Sequence, residues 1–308
     1  ACAALKNLTN PGIAANAGFF RPIKVIAPPG CYVNPQHPAP VAARGLGGFR
    51  VAHTVFGAMA KALPGKVPAA WGGGEIGASF GGYYPDGQAF VFLEFNNDGP
   101  RGGGPYADGP DGATAPVTNQ SNTPIESIEA DQPLRITRYS YIPDSGGAGK
   151  FRGGLGVIRE YELTADEASL QIRSDRNKFL PWGTQGGNPG TQTHSILNPD
   201  RENRELPSKF MMDVQKGDVY RSVQAGAGGY GDPLERDPSA VLNDVLQEKV
   251  TISGATEYGV VVDSESLEID VEATNALRND IRGTRGELSM EPHVIKASEW
   301  LSNSARVR

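Results

Sequence analysis

Cysteine and histidine are scarce in this chain of 308 residues, which contains two cysteines and four histidines. Cys2 and Cys31 are too few for a disulfide framework or a cysteine-rich zinc site. The histidines show neither the H-x-H nor the H-x-x-x-H spacing that brings two ligands to one metal. We therefore expect neither a disulfide scaffold nor a histidine-built metal centre, and the cysteine count fits the reducing cytoplasm.

Long apolar runs and an excess of basic charge are also absent. No stretch approaches the roughly 18 apolar residues of a membrane helix. The first ten residues lack an initiator Met and the charged and apolar regions of a signal peptide, so the start is interpreted as Met removal before Ala1 or as a boundary within a longer protein. A net charge of −6 and a pI near 5.4 argue against a nucleic-acid surface.

Glycine and proline, by contrast, are abundant, with 40 and 24 residues respectively. Such shares predict many loops and turns. Two segments rich in glycine and charge, Asp144 to Gly156 and Gly226 to Asp237, each follow a strand-like run. Gly226 to Gly231 fits G-x-G-x-x-G, but Asp232-Pro233 separates it from any following helix, which disfavours a phosphate-binding loop. A closed loop of shaped backbone is the stronger interpretation, and a dinucleotide site is the weaker one.

Hydrophobic periodicity predicts the secondary structure. Apolar residues recur at helical spacing from Val51 to Leu63, Asp237 with Pro238 begins a later helix, and Val271 to Arg282 is predicted as a polar helix. Alternating or β-branched runs predict strands at Phe19 to Ala27, Val91 to Phe95, Leu134 to Tyr141, Val157 to Leu163, Ala168 to Arg173, Phe210 to Val214, Asp218 to Gln224 and Tyr258 to Asp263.

The predicted fold class is α+β, with β-dominated mixed sheets, glycine-rich loops and a helical C-terminal segment. Residues 1–235 are predicted to form the β-rich core. Residues 236–308 are predicted to form the helical segment, which packs on the core or on a partner.

Six polar residues are candidate ligands for an anion or an amide. An arginine offers a planar fork that matches carboxylate or phosphate, and an asparagine can both donate to and accept from an amide edge. Polar side chains in glycine-rich segments also cap turns, so a structural role is the alternative for each. The six are Arg21, Asn97, Arg101, Asn119, Arg173 and Arg176.

Seven stretches spread over nearly the whole chain are specific enough for comparison with known families. They are Asn16 to Pro35, Asn119 to Tyr139, Asp144 to Tyr161 (DSGGAGKFRGGLGVIREY), Arg173 to Gly190 (RSDRNKFLPWGTQGGNPG), Leu206 to Phe210, Lys216 to Pro238 (KGDVYRSVQAGAGGYGDPLERDP) and Tyr258 to Asp263. Together they resemble the C-terminal half of the hydantoinase B/oxoprolinase family. They are also similar to the corresponding subunits of acetone and acetophenone carboxylases.

The resemblance implies an enzyme that acts as part of a multi-chain, ATP-dependent cyclic-amide hydrolase of hydantoinase, 5-oxoprolinase or lactamase type. It implies a hydantoinase A-type partner subunit that binds ATP with Mg, and an N-terminal half of the B-type protein that holds a divalent metal through Asp and His. That half has no counterpart in this sequence and is expected as a cleaved or separate chain or as an upstream segment. No metal ligand is therefore assigned here, and no cofactor is expected on this chain alone.

Two alternatives stay open beside a hydrolase subunit that contributes to the site acting on the phosphorylated substrate. Asn96 to Gly112 is longer and richer in acids and prolines than the family's usual stretch, so the chain could instead belong to an ATP-dependent ketone carboxylase. The lack of a ligand cluster favours the second alternative, a non-catalytic structural half of such a complex.

Overall fold

The computed structural model describes residues 2–9, 12–41, 44–73, 77–94, 99–114 and 121–303. The chain divides into two compact units, Ala1–Val67 and Pro68–Arg308. Within the described residues, no helix is both long enough and apolar enough to cross a membrane.

The first unit is helical. Its helices are α1 (Cys2–Thr9), α2 (Ala17–Phe20) and α3 (Arg44–Ala62), and α1 contacts α3. The predicted helix from Val51 is confirmed within α3, where His53, Phe56 and Ala60 are buried at helical spacing. Pro64 and Gly65 follow its end and stop the helix.

The strand predicted from Phe19 to Ala27 is wrong. The side chain of Asn16 caps α2 by accepting a hydrogen bond from the amide of Phe19, so the chain begins this stretch as a helix. Pro22 has no amide to donate, and residues 23–28 run without regular secondary structure. The β-branched residues there, Val25 and Ile26, are exposed rather than packed in a sheet.

The second unit contains two antiparallel sheets, which confirms the α+β class. A four-stranded sheet has the order β2-β1-β5-β8, and a five-stranded sheet has the order β3-β4-β9-β6-β7. The strands are β1 (Ala78–Tyr83), β2 (Ala89–Glu94), β3 (Leu134–Tyr141), β4 (Val157–Leu163), β5 (Glu167–Arg173), β6 (His194–Leu197), β7 (Arg204–Leu206), β8 (Lys209–Gln215) and β9 (Val219–Val223). Helix α4 (Ile125–Asp131) precedes β3.

The two sheets pack face to face as a sandwich around aromatic side chains. The ring of Tyr161 in the larger sheet lies 5.8 Å from that of Phe80 and 6.3 Å from that of Phe92 in the smaller one. Tyr220 stacks on Tyr161 at 6.2 Å. Alternate residues of each strand point into this core, which is the pattern that made the strands predictable.

A glycine bundle adjoins one end of the sandwich. It consists of residues 69–73, 99–112, 144–156, 180–192 and 224–231, which are the segments that lead into or out of six of the strands. They run side by side and are linked by backbone hydrogen bonds, although they form only isolated bridges. A Cβ added at most of their glycines would lie closer than 3.0 Å to a neighbouring backbone atom, so the backbones approach more closely than any side chain permits.

Residues 226–231 show how the bundle is connected. The amides of Gly226 and Gly229 donate to Thr191 Oγ1 and Asn188 O, whereas those of Ala227 and Tyr230 donate to Gly154 O and Phe151 O. The amide between them, of Gly228, donates to a third neighbour, Ala70 O. Neighbours thus recur after three residues for Gly226 with Gly229 and for Ala227 with Tyr230, whereas the amide of Gly231 donates to Thr184 O, in the segment that Gly226 and Gly229 also contact.

The C-terminal part is helical, with α5 (Pro238–Leu246), α6 (Val271–Thr284) and α7 (Ala297–Asn303). The predicted cap is confirmed, because the side chain of Asp237 accepts from the amide of Ser239 and Pro238 begins α5. Val241, Val245 and Val260 lie in a second hydrophobic cluster.

The strand predicted from Tyr258 to Asp263 is wrong. Residues Gly254–Tyr258 form a 3-10 turn, and Gly259 at φ +62° turns the chain through a conformation that strands do not use. Only Val262 makes a bridge, to Ile269. The alternating buried residues come from packing in the second hydrophobic cluster rather than from a sheet.

Candidate functional site

Polar side chains gather where the sandwich meets the glycine bundle. We call this region the junction and define it by the end of β2 (Glu94), the end of β5 (Arg173), the start of β4 (Val157, Arg159) and the end of β3 (Tyr139, Tyr141). The amide of Gly77 donates to Arg173 O, and Ala78 pairs with Glu94, so β1 connects these two strand ends.

A buried ion pair crosses the sandwich at the junction. Arg159 Nη1 lies 2.9 Å from Glu94 Oε2, and the two side chains are 1% and 0% exposed. The two residues belong to different sheets, because Arg159 is on β4 and Glu94 ends β2. Arg159 also donates to Thr123 O at 3.5 Å, while its Nε has no hydrogen-bond partner. Removal of one partner of such a pair strongly destabilises a fold, because the other charge stays buried.

Tyr139 forms the rim beside this ion pair. The Arg159 guanidinium lies 4.8 Å from the centre of its ring, and its hydroxyl accepts a hydrogen bond from the amide nitrogen of Asn122. Burial and the nearby Glu94 carboxylate raise the pKa of Tyr139, and they outweigh the lowering effect of Arg159. The neutral phenol is therefore the form that faces this part of the junction.

Arg101 lies in residues 99–114, which we call the junction loop. The loop folds back on itself, because the amide of Arg101 donates to Pro110 O and its Nε donates to Thr114 O at 3.1 Å. Gly112, at φ +51°, packs against Tyr141 and Val157, and a Cβ there would meet the Tyr141 ring. Since Tyr141 pairs with Val157 and Tyr139 pairs with Arg159, the loop covers the sheet face that carries the buried arginine.

Arg173 and Arg176 differ in what their guanidinium groups do. Arg176, at φ +63°, donates from Nε to Gly72 O at 3.1 Å and so holds the backbone of a bundle segment. Arg173 ends β5 opposite Lys209. Within the part of the chain that the structure describes, the Arg173 guanidinium has no ion-pair or hydrogen-bond partner, which leaves it available to an external anion.

Of the six candidate ligands, Arg101 lies in the junction loop and Arg176 holds a bundle segment, whereas Arg173 ends β5 at the junction with its side chain on the outer face of the sheet. Arg21 lies in the first unit, exposed after the last residue of α2. Asn97 and Asn119 lie outside the described residues.

Sequence reasoning missed Glu94 and Arg159. Both were detectable, because each is a charged residue at a position where the alternation of its strand places the inward-facing side chain. When two strands carry opposite charges at inward-facing positions, the two charges can pair across the core, which predicts that the strands lie in facing sheets.

Two further motifs in the sequence do not mark a catalytic centre. Gly77 to Gly81 reads G-x-S-x-G, but Ser79 lies inside β1, paired with Leu93 and Gln171, instead of on a strand-to-helix turn. Gly226 to Gly231 is packed in the glycine bundle, where Gly226 approaches the backbone of Ser145, so no space for a pyrophosphate remains beside it.

The described residues do not fit the divalent metal that the resemblance implies. Across these residues, no group of three or more His, Cys, Asp or Glu side chains could hold a metal ion. His194 instead pairs with Glu205 at 2.8 Å, and His53 is buried in α3. We accordingly derive no step through a metal on this chain.

Two open grooves lie at the opposite end of the sandwich, with volumes of about 730 and 360 Å³. They share Tyr84 and Gln132, and Asp86, Asp131 and Asp166 line one or the other. The larger groove has two aspartates and no cation, and the one lysine of the smaller groove, Lys216, pairs with Asp166, so both suit a phosphorylated or carboxylate-bearing ligand less well than the arginines of the junction do. We therefore assign the candidate site to the junction despite the size of these grooves.

Comparison with known proteins identifies the family. The sequence profile described as Hydantoinase B/oxoprolinase matches residues 1–233. The B-type subunit of a putative D-/L-hydantoinase from Pseudomonas sp. (strain NS671) is 40% identical over 268 residues, which are 85% of this chain and 44% of that protein. The chain therefore belongs to the hydantoinase B/oxoprolinase family.

Solved structures agree on the fold. The crystal structure of ATP-dependent caprolactamase from Pseudomonas jessenii is similar at a TM-score of 0.80 and 28% identity, covering 90% of this chain and 50% of that one. A nucleotide-free structure of acetone carboxylase has a TM-score of 0.72 at 20% identity, covers 99% of this chain and 44% of that one, and shows the fold alone. The chain thus spans about half the length of these three relatives.

Proposed function

We propose that the chain is part of the B-type subunit of an ATP-dependent cyclic-amide hydrolase, and that its junction faces the site acting on the phosphorylated substrate. The observation that carries the proposal is the 40% identity, over most of the chain, to the B-type subunit of a putative hydantoinase. The similarity to the ATP-dependent caprolactamase supports the same reaction class.

In the proposed reaction, an ATP-binding A-type partner phosphorylates the oxygen of a cyclic amide, and water then attacks the ring carbon in the B-type subunit. Phosphorylation makes the ring carbon a better electrophile. After water adds, the C–N bond breaks and the ring nitrogen leaves as the protonated amine, which opens the ring. The acyl phosphate that results is hydrolysed by a second water to the carboxylate and inorganic phosphate. A divalent metal, which the family resemblance places in the other half of the B-type protein, would supply Lewis acidity.

The residues of this chain would bind and shield the phosphorylated ring. Arg173 presents a guanidinium fork that suits a phosphate or carboxylate and that no described residue pairs with, and Arg101 lies in the junction loop that covers the adjoining sheet face. The glycine bundle behind them forms a wall of packed backbone, which excludes water without bringing side chains into the site.

The test is ring opening by the reconstituted complex. The chain is assembled with the other half of the B-type protein and the A-type partner, and hydrolysis of hydantoins, 5-oxoproline and caprolactam is measured with and without ATP. We expect Arg173→Ala to lower kcat/KM by about 10- to 100-fold through loss of one charged contact. Arg135→Ala, at the far end of β3 with its side chain 64% exposed, is the matched control and should leave kcat/KM unchanged.

Other outcomes favour the alternatives. Full activity of Arg173→Ala would leave this chain as a structural half of the complex. Product formation that requires bicarbonate and a ketone, with no amide opened, would identify a carboxylase, a reaction for which the present support is similarity of fold.

A further inference from the structure

Six charged side chains form a largely buried cluster that the proposed reaction does not use. They connect the junction loop with the bundle segment at residues 144–156 and with the C-terminal part of the chain. Three are cationic and three anionic: Asp108, Asp111, Arg152, Arg236, Asp244 and Lys249.

Arg236 holds the outer part of the junction loop. Its Nη1 and Nη2 donate to the two oxygens of Asp108 at 2.6 and 2.7 Å, and Nη2 also donates to Asp244 Oδ2 at 2.7 Å. Burial alone would lower the pKa of Arg236, but the Asp108 hydrogen bond and the charges of Asp108 and Asp244 raise it above its ordinary value. The two-pronged contact fixes both the distance and the direction of Asp108.

Arg152 holds the base of the same loop. Its Nη1 lies 2.9 Å from Asp111 Oδ1, and Lys249 Nζ lies 3.0 Å from the other Asp111 oxygen. Arg152 Nε lies 3.5 Å from Asp244 Oδ2, so one carboxylate of α5 is shared by two guanidinium groups. Burial opposes ionisation of Asp111, yet Arg152 and the amide of Leu155 hold its pKa below the ordinary value.

The junction loop has no helix or strand of its own, and these side-chain contacts add to backbone hydrogen bonds that link it to the bundle, such as that from the amide of Gly109 to Arg152 O. Asp108 also accepts from the amide of Arg152, and Asp111 accepts from that of Leu155, so both acids fasten the loop to the bundle. Arg101 lies in the same loop, with its amide bonded to Pro110. Its carbonyl also accepts from the amide of Gly154, so the bundle backbone and the two acids together set its position.

We propose that Arg236 and Asp244 are positioning residues, which hold the junction loop, and with it Arg101, against the junction from the C-terminal part of the chain. Their effect on turnover rests on the proposed function, since it requires that Arg101 faces the substrate. Their effect on the loop itself does not.

Hydrogen exchange of the full chain tests the positioning directly. We expect Asp244→Asn to speed exchange of the Arg101, Gly109 and Gly112 amides by about 10-fold or more, while the amides of β4 and β9 change by less than about 2-fold. Arg236→Lys, which keeps the charge but loses the fork, should act in the same direction more weakly. Glu235→Gln is the matched control, because its ion pair with Lys150 is exposed and lies one residue from Arg236.

Two exchange results would overturn the proposal. Unchanged exchange in the loop would show that the cluster does not hold it. Equal acceleration in the loop and in the strands would show that the cluster serves the stability of the whole unit instead.

Kinetics of the reconstituted complex then separate positioning from catalysis. We expect Asp244→Asn to raise KM for the cyclic amide by about 10-fold, and to have no further effect in an Arg101→Ala background, because coupled residues are not additive. Additive effects would overturn the link to Arg101. A complex that opens no cyclic amide would refute the proposed function, whereas the exchange result would still decide whether the loop is held.

Discussion

The sandwich buries side chains against side chains, whereas the glycine bundle buries backbone against backbone. In the sandwich, Tyr161, Leu170 and Ile172 are fully buried and fill the space between the sheets. In the bundle, Gly153 and Gly228 lie so close to neighbouring backbone that a Cβ has no room. The two regions adjoin at the junction, so a change in one can be compared with a change in the other within the same unit.

Because of this difference, the two regions tolerate different amino-acid substitutions. A side-chain core accepts substitutions that conserve volume, since rotamers can adjust. A backbone-packed region has no rotamers to adjust, and its hydrogen bonds move with any displacement. Trp71 and Trp182 lie in the bundle and are buried, Trp300 lies in α7, and no tryptophan lies in the described strands, so tryptophan fluorescence reports on the bundle rather than on the sandwich.

The largest effect is expected from a single methyl group in the bundle. Gly153→Ala places a Cβ against Ala227 O, so we expect the free energy of unfolding to fall by about 4 kcal/mol or more, at the top of the range for point substitutions. The control is Gly81→Ala in β1, where the nearest atom lies 3.9 Å away. It should leave stability unchanged or raise it by up to about 1 kcal/mol. Urea denaturation measures the free energy of unfolding of both variants. Similar losses in the two would contradict the difference between a backbone-packed region and a strand.

The buried ion pair gives the next largest effect and tests whether the sandwich accepts replacement. Arg159→Met removes the arginine that pairs with the buried Glu94 carboxylate, so we expect the free energy of unfolding to fall by about 3–5 kcal/mol. The double variant with Glu94→Leu should regain most of that loss, because two apolar side chains fill the same space without a charge. A double variant as unstable as the single one would show that the pair itself stabilises the sandwich.

The smallest effect is expected at the end of the bundle, in acid. Arg285 contacts both Asp232 oxygens at 2.7 and 2.5 Å, and although burial opposes ionisation, these contacts hold the pKa of Asp232 below its usual 3.8. The resulting stability is complete above that usual pKa and is lost as the pH falls through the lower folded pKa. We expect Asp232→Asn to cost about 1 kcal/mol near neutral pH and progressively less in stronger acid, monitored by tryptophan fluorescence. A cost independent of pH would assign the effect to shape rather than charge.

The sandwich was largely predictable, and the bundle was not. Strands β3 and β4 have the bounds predicted from alternation, because their pattern reflects one buried face. Strand β1 was missed, since Gly81 and Gly82 weaken its β signal. The glycine segments were recognised as shaped backbone, but their partners lie far away in sequence, as with Gly228 and Ala70, and no local pattern encodes such pairing.

In the candidate site, too, local features could be predicted from the sequence and long-range contacts could not. The role of Arg173 stays a prediction, which rests on its place at a strand end, where polar residues often face a ligand, and on the lack of a partner for its guanidinium among the described residues. The structural contacts of Arg176 with Gly72 were not predictable, because they depend on a segment 104 residues away. The division between residues 1–235 and 236–308 stays a prediction.

The order of hydrogen-bond partners along residues 226–230 also limits how the chain can change in length during evolution. Successive amides there donate to different segments, so the loss or gain of one residue would offer each following amide to the wrong neighbour. The glycines of this segment also leave no room for the backbone to shift, because a Cβ at Gly226 or Gly228 would already meet a neighbouring carbonyl. Insertions and deletions among related sequences should therefore avoid this segment.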